Sequence, residues 1–145
     1  MSSVKSVKYL GYGGLAPFLL ALAGIIFSDV KLQDFYVHAF TAYSAVILSF
    51  IGAVHWGFIL KNETVPNKQT LLSISVIPAL IGWLALLFSP VASLFIFALA
   101  FPAVFLYERF SSVSILLPEW YMLLRIQLTL AVTIMQFAAI AWSMV

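Results

Sequence analysis

Long uncharged apolar stretches alternate along this chain with short polar gaps, and nearly every charge falls in a gap. The stretches cover about residues 9–28, 39–60, 71–88, 91–107 and 122–145. A helix needs about 20 residues to cross the hydrocarbon core of a bilayer, and about 17 still suffice. Each stretch meets that length, so the pattern predicts five transmembrane helices. Only Ser89 and Pro90 separate the third stretch from the fourth. The joined run is too long for one crossing, so these two must form a tight antiparallel hairpin. The expected fold is an all-α membrane protein, a compact bundle of five transmembrane helices forming a single domain over residues 1–145.

Basic residues in short loops set orientation, because they stay on the cytoplasmic side. With five spans, Lys5, Lys8, Lys61, Lys68, Arg109 and Arg125 share one side, and Lys31 alone lies on the other. The expectation is an N-terminus in the cytoplasm and a C-terminus outside. Lys5 and Lys8 before an apolar run, with Ala21-Leu22-Ala23 after them, resemble a signal peptide. The run continues to Phe27, however, and reads as an uncleaved first span. The expected location is a bacterial inner (plasma) membrane, or the mitochondrial inner membrane in a eukaryote.

Pro17, Pro78 and Pro102 fall inside predicted spans. Each removes a helical hydrogen bond and frees the carbonyl four residues back, at Gly13, Ile74 and Ala98. In lipid those carbonyls need other partners, and Gln136, deep in the fifth span, is a candidate donor. In the second span Ala45, Ser49, Ala53 and Gly57 recur every four residues. Small residues let helix backbones approach closely, so these four are the expected helix-packing face, within the chain or against another.

Composition agrees with this solvent and narrows the chemistry. Apolar residues make up 64% and charged residues 8%, against roughly a quarter charged in soluble domains. Mean hydropathy is +1.13. The net charge of +2 comes without a basic run, so nothing suits a nucleic-acid backbone. The chain has no cysteine, which excludes disulfides, thiolate metal sites and cysteine nucleophiles. Its histidines, His38 and His55, are separated by about 25 Å of helix, too far to share one metal or haem. No metal or other cofactor is expected, and no nucleophile–base pair with an orienting third group can be assembled.

The ionisable residues near the cytoplasmic ends of the spans are the better candidates. His55 lies within the second span, where desolvating an ionisable group is costly and function is the default hypothesis. Glu108 ends the fourth span, and Glu119-Trp120-Tyr121 opens the fifth with Arg125 about a turn and a half deeper. Arg125 must find a carboxylate or snorkel outward, with Glu108 and Glu119 as candidate partners. His55, Trp56, Glu108, Glu119, Trp120, Tyr121 and Arg125 therefore form the expected polar site, as a ligand-binding cluster or as a clasp between helix ends.

Two stretches carry a family resemblance. Ser49-Phe50-Ile51-Gly52-Ala53-Val54-His55-Trp56-Gly57 and Leu117-Pro118-Glu119-Trp120-Tyr121, followed by Leu124-Arg125 and Leu128-Thr129, resemble the characteristic segments of the DUF3429 family of small membrane proteins. Gly14-Leu15-Ala16-Pro17-Phe18 is similar to its first-span pattern, and Tyr43 precedes the second-span motif at the familiar distance. Ile51 stands where the family often has leucine, and Glu108 where it tends to have aspartate. The resemblance implies five membrane helices and no particular activity.

Three functions suit these features. The leading one is a non-enzymatic accessory or assembly subunit, with the lipid bilayer around it and a membrane-protein partner or a second copy against it. The alternative is a small oligomeric transporter or channel for protons or a small solute. The third is a lipid- or quinone-binding protein at the inner leaflet.

Overall fold

The computed structural model describes residues 3–145. Met1 and Ser2, the head of the N-terminus expected in the cytoplasm, lie outside the described residues. Six α-helices follow one another: α1 (Ser3–Gly13), α2 (Ala16–Phe27), α3 (Val30–Lys61), α4 (Lys68–Ala85), α5 (Pro90–Phe110) and α6 (Glu119–Ser143). A single 3₁₀ turn, Ser112–Ile115, joins α5 to α6. With α1 and α2 taken as one broken helix, five helices are long and apolar enough to cross a membrane. Among the described residues there is no strand.

Packing closes the helices into a ring. α3 touches α2, α4 and α5, while α6 touches α5, α2 and α1. The centre is apolar, an aliphatic cluster built around four aromatic rings, Phe18, Phe40, Phe97 and Phe101, all nearly inaccessible. Phe18 meets Phe40 and Tyr43 edge-on at centroid distances of 5.2 and 4.8 Å, the geometry that aromatic quadrupoles favour. A second apolar cluster of Ile59, Leu71, Val113, Leu117 and Tyr121 pins the 3₁₀ turn to the α3 and α4 ends.

The first span differs from the expected continuous helix. Pro17 is not an internal kink; it sits in the first turn of α2, where a missing N–H costs nothing. The helix already breaks at Gly13-Gly14. At that break the Gly14 carbonyl accepts a 2.9 Å hydrogen bond from the Tyr43 hydroxyl. Pro78 and Pro102 do lie inside α4 and α5. Gln136 serves neither of their freed carbonyls: its Nε2 donates to Ser44 Oγ at 2.8 Å.

The second span runs well past its expected start at residue 39, for 32 residues in all, or about 48 Å. Nothing between Asp29 and Gly52 interrupts it, since the segment holds neither glycine nor proline. Its polar first turns, with Lys31, Gln33 and Asp34, read as loop only by composition.

The most extensive helix contact is α3 on α4, and of the expected ladder Ala45 takes part in its close backbone approach. A Cβ at Gly82 would lie 3.2 Å from the Ala45 backbone, and one at Gly52 would lie 2.4 Å from the Ser75 carbonyl oxygen. Ser49 is half-buried and bonds back to the Ala45 carbonyl at 2.8 Å. Ala53 and Gly57 are exposed on the outside of the bundle. A four-residue spacing advances about 40° per step on a helix of 3.6 residues per turn, so Gly57 has wound about 120° away from Ala45. Gly52, seven residues on, stays on the buried seam.

Candidate functional site

Three helices bring one ionisable residue each to a single buried point. α3 supplies His55, α5 supplies Glu108 and α6 supplies Arg125, with relative exposures of 0%, 0% and 5%. Glu108 is the hub. His55 Nε2 lies 2.7 Å from its Oε1, and Arg125 Nε donates to Oε1 at 3.1 Å and to Oε2 at 2.9 Å. An ionised carboxylate only accepts hydrogen bonds, so toward an ionised Glu108 the donor is the imidazole Nε2–H. Arg125 Nη1 donates to Thr129 Oγ1 at 3.1 Å, one helical turn away on α6.

Isolated, any of these charges would be expensive here; paired and hydrogen-bonded, they persist. The satisfaction is incomplete, though. His55 Nδ1, Arg125 Nη2 and the hydroxyl of Tyr107 are buried without a hydrogen-bond partner. Tyr107 belongs to this neighbourhood, since its ring centroid is 6.4 Å from that of His55. A natural protein carries few such orphans, and three around one carboxylate mark this point of the bundle.

Beside the ion pair lies a cavity of about 300 Å³ between the first span, α3 and α6. Its walls are almost wholly apolar, with Leu10, Phe18, Ile47 and Leu128 among them, and its polar lining comes chiefly from Arg125, Thr129 and Tyr121. Ligand pockets commonly have this make-up, an apolar surface with a few polar groups that fix orientation. Gly11 and Gly14, at the break between α1 and α2, line it too.

The seven expected site residues separate into groups. His55, Glu108 and Arg125 meet as described, and Tyr121 lines the adjoining cavity. Trp56 turns outward, 45% exposed, and its indole N–H donates to the Leu72 carbonyl at 3.0 Å. Trp120 packs edge-on against Tyr121 at 6.0 Å, within the second apolar cluster. Glu119 does not reach Arg125; it is exposed and lines a separate surface groove with Arg109. Six residues along α6 put its side chain about 120° around the helix from Arg125. Thr129 and Tyr107 had no assigned role in the sequence, although Thr129, four positions after Arg125, was readable as its neighbour on one helix face. The cavity had no sequence signal, because apolar walls look like any membrane helix.

Comparison with known proteins accords with this architecture. No solved structure matches. Transmembrane protein 69 of Xenopus tropicalis is 38% identical over 91 residues, 58% of this chain and 33% of that protein. Transmembrane protein 69 of Mus musculus is 34% identical over 93 residues, 61% of this chain and 36% of that protein. The match thus spans about a third of the length of these curated relatives. The family model described as Protein of unknown function (DUF3429) matches residues 3–141, nearly the whole bundle including His55, Glu108 and Arg125, and the chain belongs to the DUF3429 family of membrane proteins.

Proposed function

We propose that this protein binds a membrane-embedded amphiphile without turning it over, holding an apolar chain or ring in the cavity and a hydrogen-bond acceptor at Arg125. One observation carries the reading: Arg125, whose buried Nη2 has no partner, is among the few polar residues lining a mostly apolar cavity of about 300 Å³. Glu108 already balances the charge of Arg125, so the acceptor that suits the site is a neutral carbonyl rather than a second anion. A prenylated quinone and an acyl ester share that chemistry. The volume is at the small end for ligand sites and suits one ring or one chain segment, with the remainder in the bilayer.

The arrangement favours binding over conduction. The hydrogen-bonded polar groups form two islands, Arg125 with Thr129 and Gln136 with Ser44, and the Thr133 hydroxyl between them on α6 bonds to neither. Buried Val132 and Met135 lie between them on α6.

The test is to purify the protein from its native membrane in mild detergent and identify retained apolar molecules by native mass spectrometry. A 1:1 quinone or acyl lipid is expected in the native chain. Leu128→Trp, which fills the cavity without touching the ion pair, should remove it while leaving the thermal melt unchanged. Retention of the same molecule by Leu128→Trp would sink the reading.

A second reading, docking as a subunit of a larger membrane complex, is favoured by the outward position of Ala53 and Gly57, where a Cβ added at Gly57 meets nothing within 4 Å. A stoichiometric foreign chain in the same native spectrum, lost on Gly57→Leu, would support it.

A further inference from the structure

A second groove, of about 550 Å³, opens at the α5–α6 corner and is lined by Arg109, Ser114 and Glu119 with Phe105, Leu123 and Ile126. We propose that it is a site for a zwitterionic phospholipid with a primary ammonium, such as a phosphatidylethanolamine, with the phosphate on Arg109 and the ammonium on Glu119. This site is separate from the cavity beside Arg125 and does not depend on that reading.

Four observations lead here. Arg109 and Glu119 are both exposed and line the same groove, yet no ion pair joins them; among the described residues the ion pairs are those of Glu108 with His55 and Arg125. A cation and an anion held apart across one opening match a headgroup carrying both charges. Arg109 lies with its guanidinium 5.9 Å from the Phe110 ring centroid, which leaves its planar donor fork for a phosphate. Glu119 is in the first turn of α6, a position where a carboxylate complements the helix dipole, and its oxygens can accept from an ammonium.

The groove is preformed rather than a gap between loose ends. Val113 and Leu117 anchor the 3₁₀ turn in the second apolar cluster. The Ser114 hydroxyl donates to the Ser111 carbonyl at 2.8 Å, which fixes this lining residue within the turn. Phe105, Leu123 and Ile126 continue the wall from the polar mouth along the helices, the course an acyl chain follows. A phosphatidylcholine cannot donate a hydrogen bond to Glu119, and an anionic headgroup such as phosphatidylglycerol leaves it unmatched.

The experiment places the full chain in nanodiscs of equal parts phosphatidylethanolamine, phosphatidylcholine and phosphatidylglycerol and reads the bound lipid ejected with it in native mass spectrometry. Phosphatidylethanolamine should be enriched in the native protein. Glu119→Gln should lower that enrichment about fivefold, the size of an exposed ion pair of about 1 kcal/mol, and raise phosphatidylglycerol. Arg109→Gln should lower both. Both residues are exposed, so neither change threatens the bundle. Enrichment that Glu119→Gln leaves untouched, or native preference for phosphatidylglycerol, would overturn the zwitterion assignment; no enrichment of any lipid would overturn the site.

Discussion

Arg125 holds Glu108 through one nitrogen, Nε, which reaches both carboxylate oxygens at 3.1 and 2.9 Å. The guanidinium therefore does not use its two-pronged face on the carboxylate, as it does in the bidentate pairs that bind most tightly. Nη1 goes to Thr129, and Nη2 has no partner. An arginine that only clasped two helix ends would gain by turning its fork toward the carboxylate. Here Arg125, with that donor unpaired, is one of the few polar residues that line the apolar cavity.

Removing one member of this pair leaves the other charge buried. Glu108→Gln is expected to destabilise the bundle by about 3–5 kcal/mol, the usual result of stranding a partner. Replacing both, as Glu108→Gln with Arg125→Met, should recover much of that loss, because the stranded charge is gone. Glu108→Asp keeps the charge on a shorter arm and should be the mildest. Thermal denaturation in detergent of the three variants tests the order, and a double variant no better than Glu108→Gln alone would contradict it.

The glycines of α3 separate packing from mere smallness. Gly52→Ala puts a methyl 2.4 Å from the Ser75 carbonyl oxygen, so α3 and α4 must part, at about 1–3 kcal/mol. Gly57→Ala meets nothing within 4 Å. It should be neutral or stabilising by up to about 1 kcal/mol, since alanine is the better helix former. Melting curves of the two variants in one detergent give the comparison directly.

This contrast shows how far the sequence could be read. Span number was legible because charges are excluded from hydrocarbon, and His55, Glu108 and Arg125 were legible because lipid makes every ionisable residue conspicuous. Helix rotation was less legible. A spacing of four looked like one face in Ala45, Ser49, Ala53 and Gly57, but the drift per step carried the last two outward. The same geometry excludes Glu119 from the ion pair, leaving Glu108 as the carboxylate. The break before Pro17 depends on two adjacent glycines as much as on proline, and the hydroxyl that caps it comes from Tyr43, 29 residues away. Such long-range partners have no local signature.

The absence of cysteine makes orientation easy to measure. Single cysteines at Lys68, the first residue of α4, and at Ser89, between α4 and α5, lie at opposite ends of one membrane span. From the basic-residue bias, Lys68→Cys is expected to react with an impermeant maleimide only after the cell membrane is opened, and Ser89→Cys in intact cells. The reverse pattern would invert the orientation.

The Tyr12 hydroxyl donates to the Gln127 side-chain carbonyl and links α1 to α6, the two helices that supply Leu10 and Leu128 to the cavity wall. α1 buries none of its residues, yet Val7 and Leu10 form part of the cavity wall. Its docking therefore rests on few contacts, and this hydrogen bond is a large share of them. Tyr12→Phe removes about 1 kcal/mol, close to a fivefold shift toward undocked α1. The bound amphiphile should then exchange about fivefold faster while the core melt stays where it was, because the central aromatic cluster is untouched. Washout of a retained ligand in detergent, timed for the native chain and Tyr12→Phe, reads this directly. Equal exchange rates would mean that the ligand enters elsewhere, between helices rather than past α1.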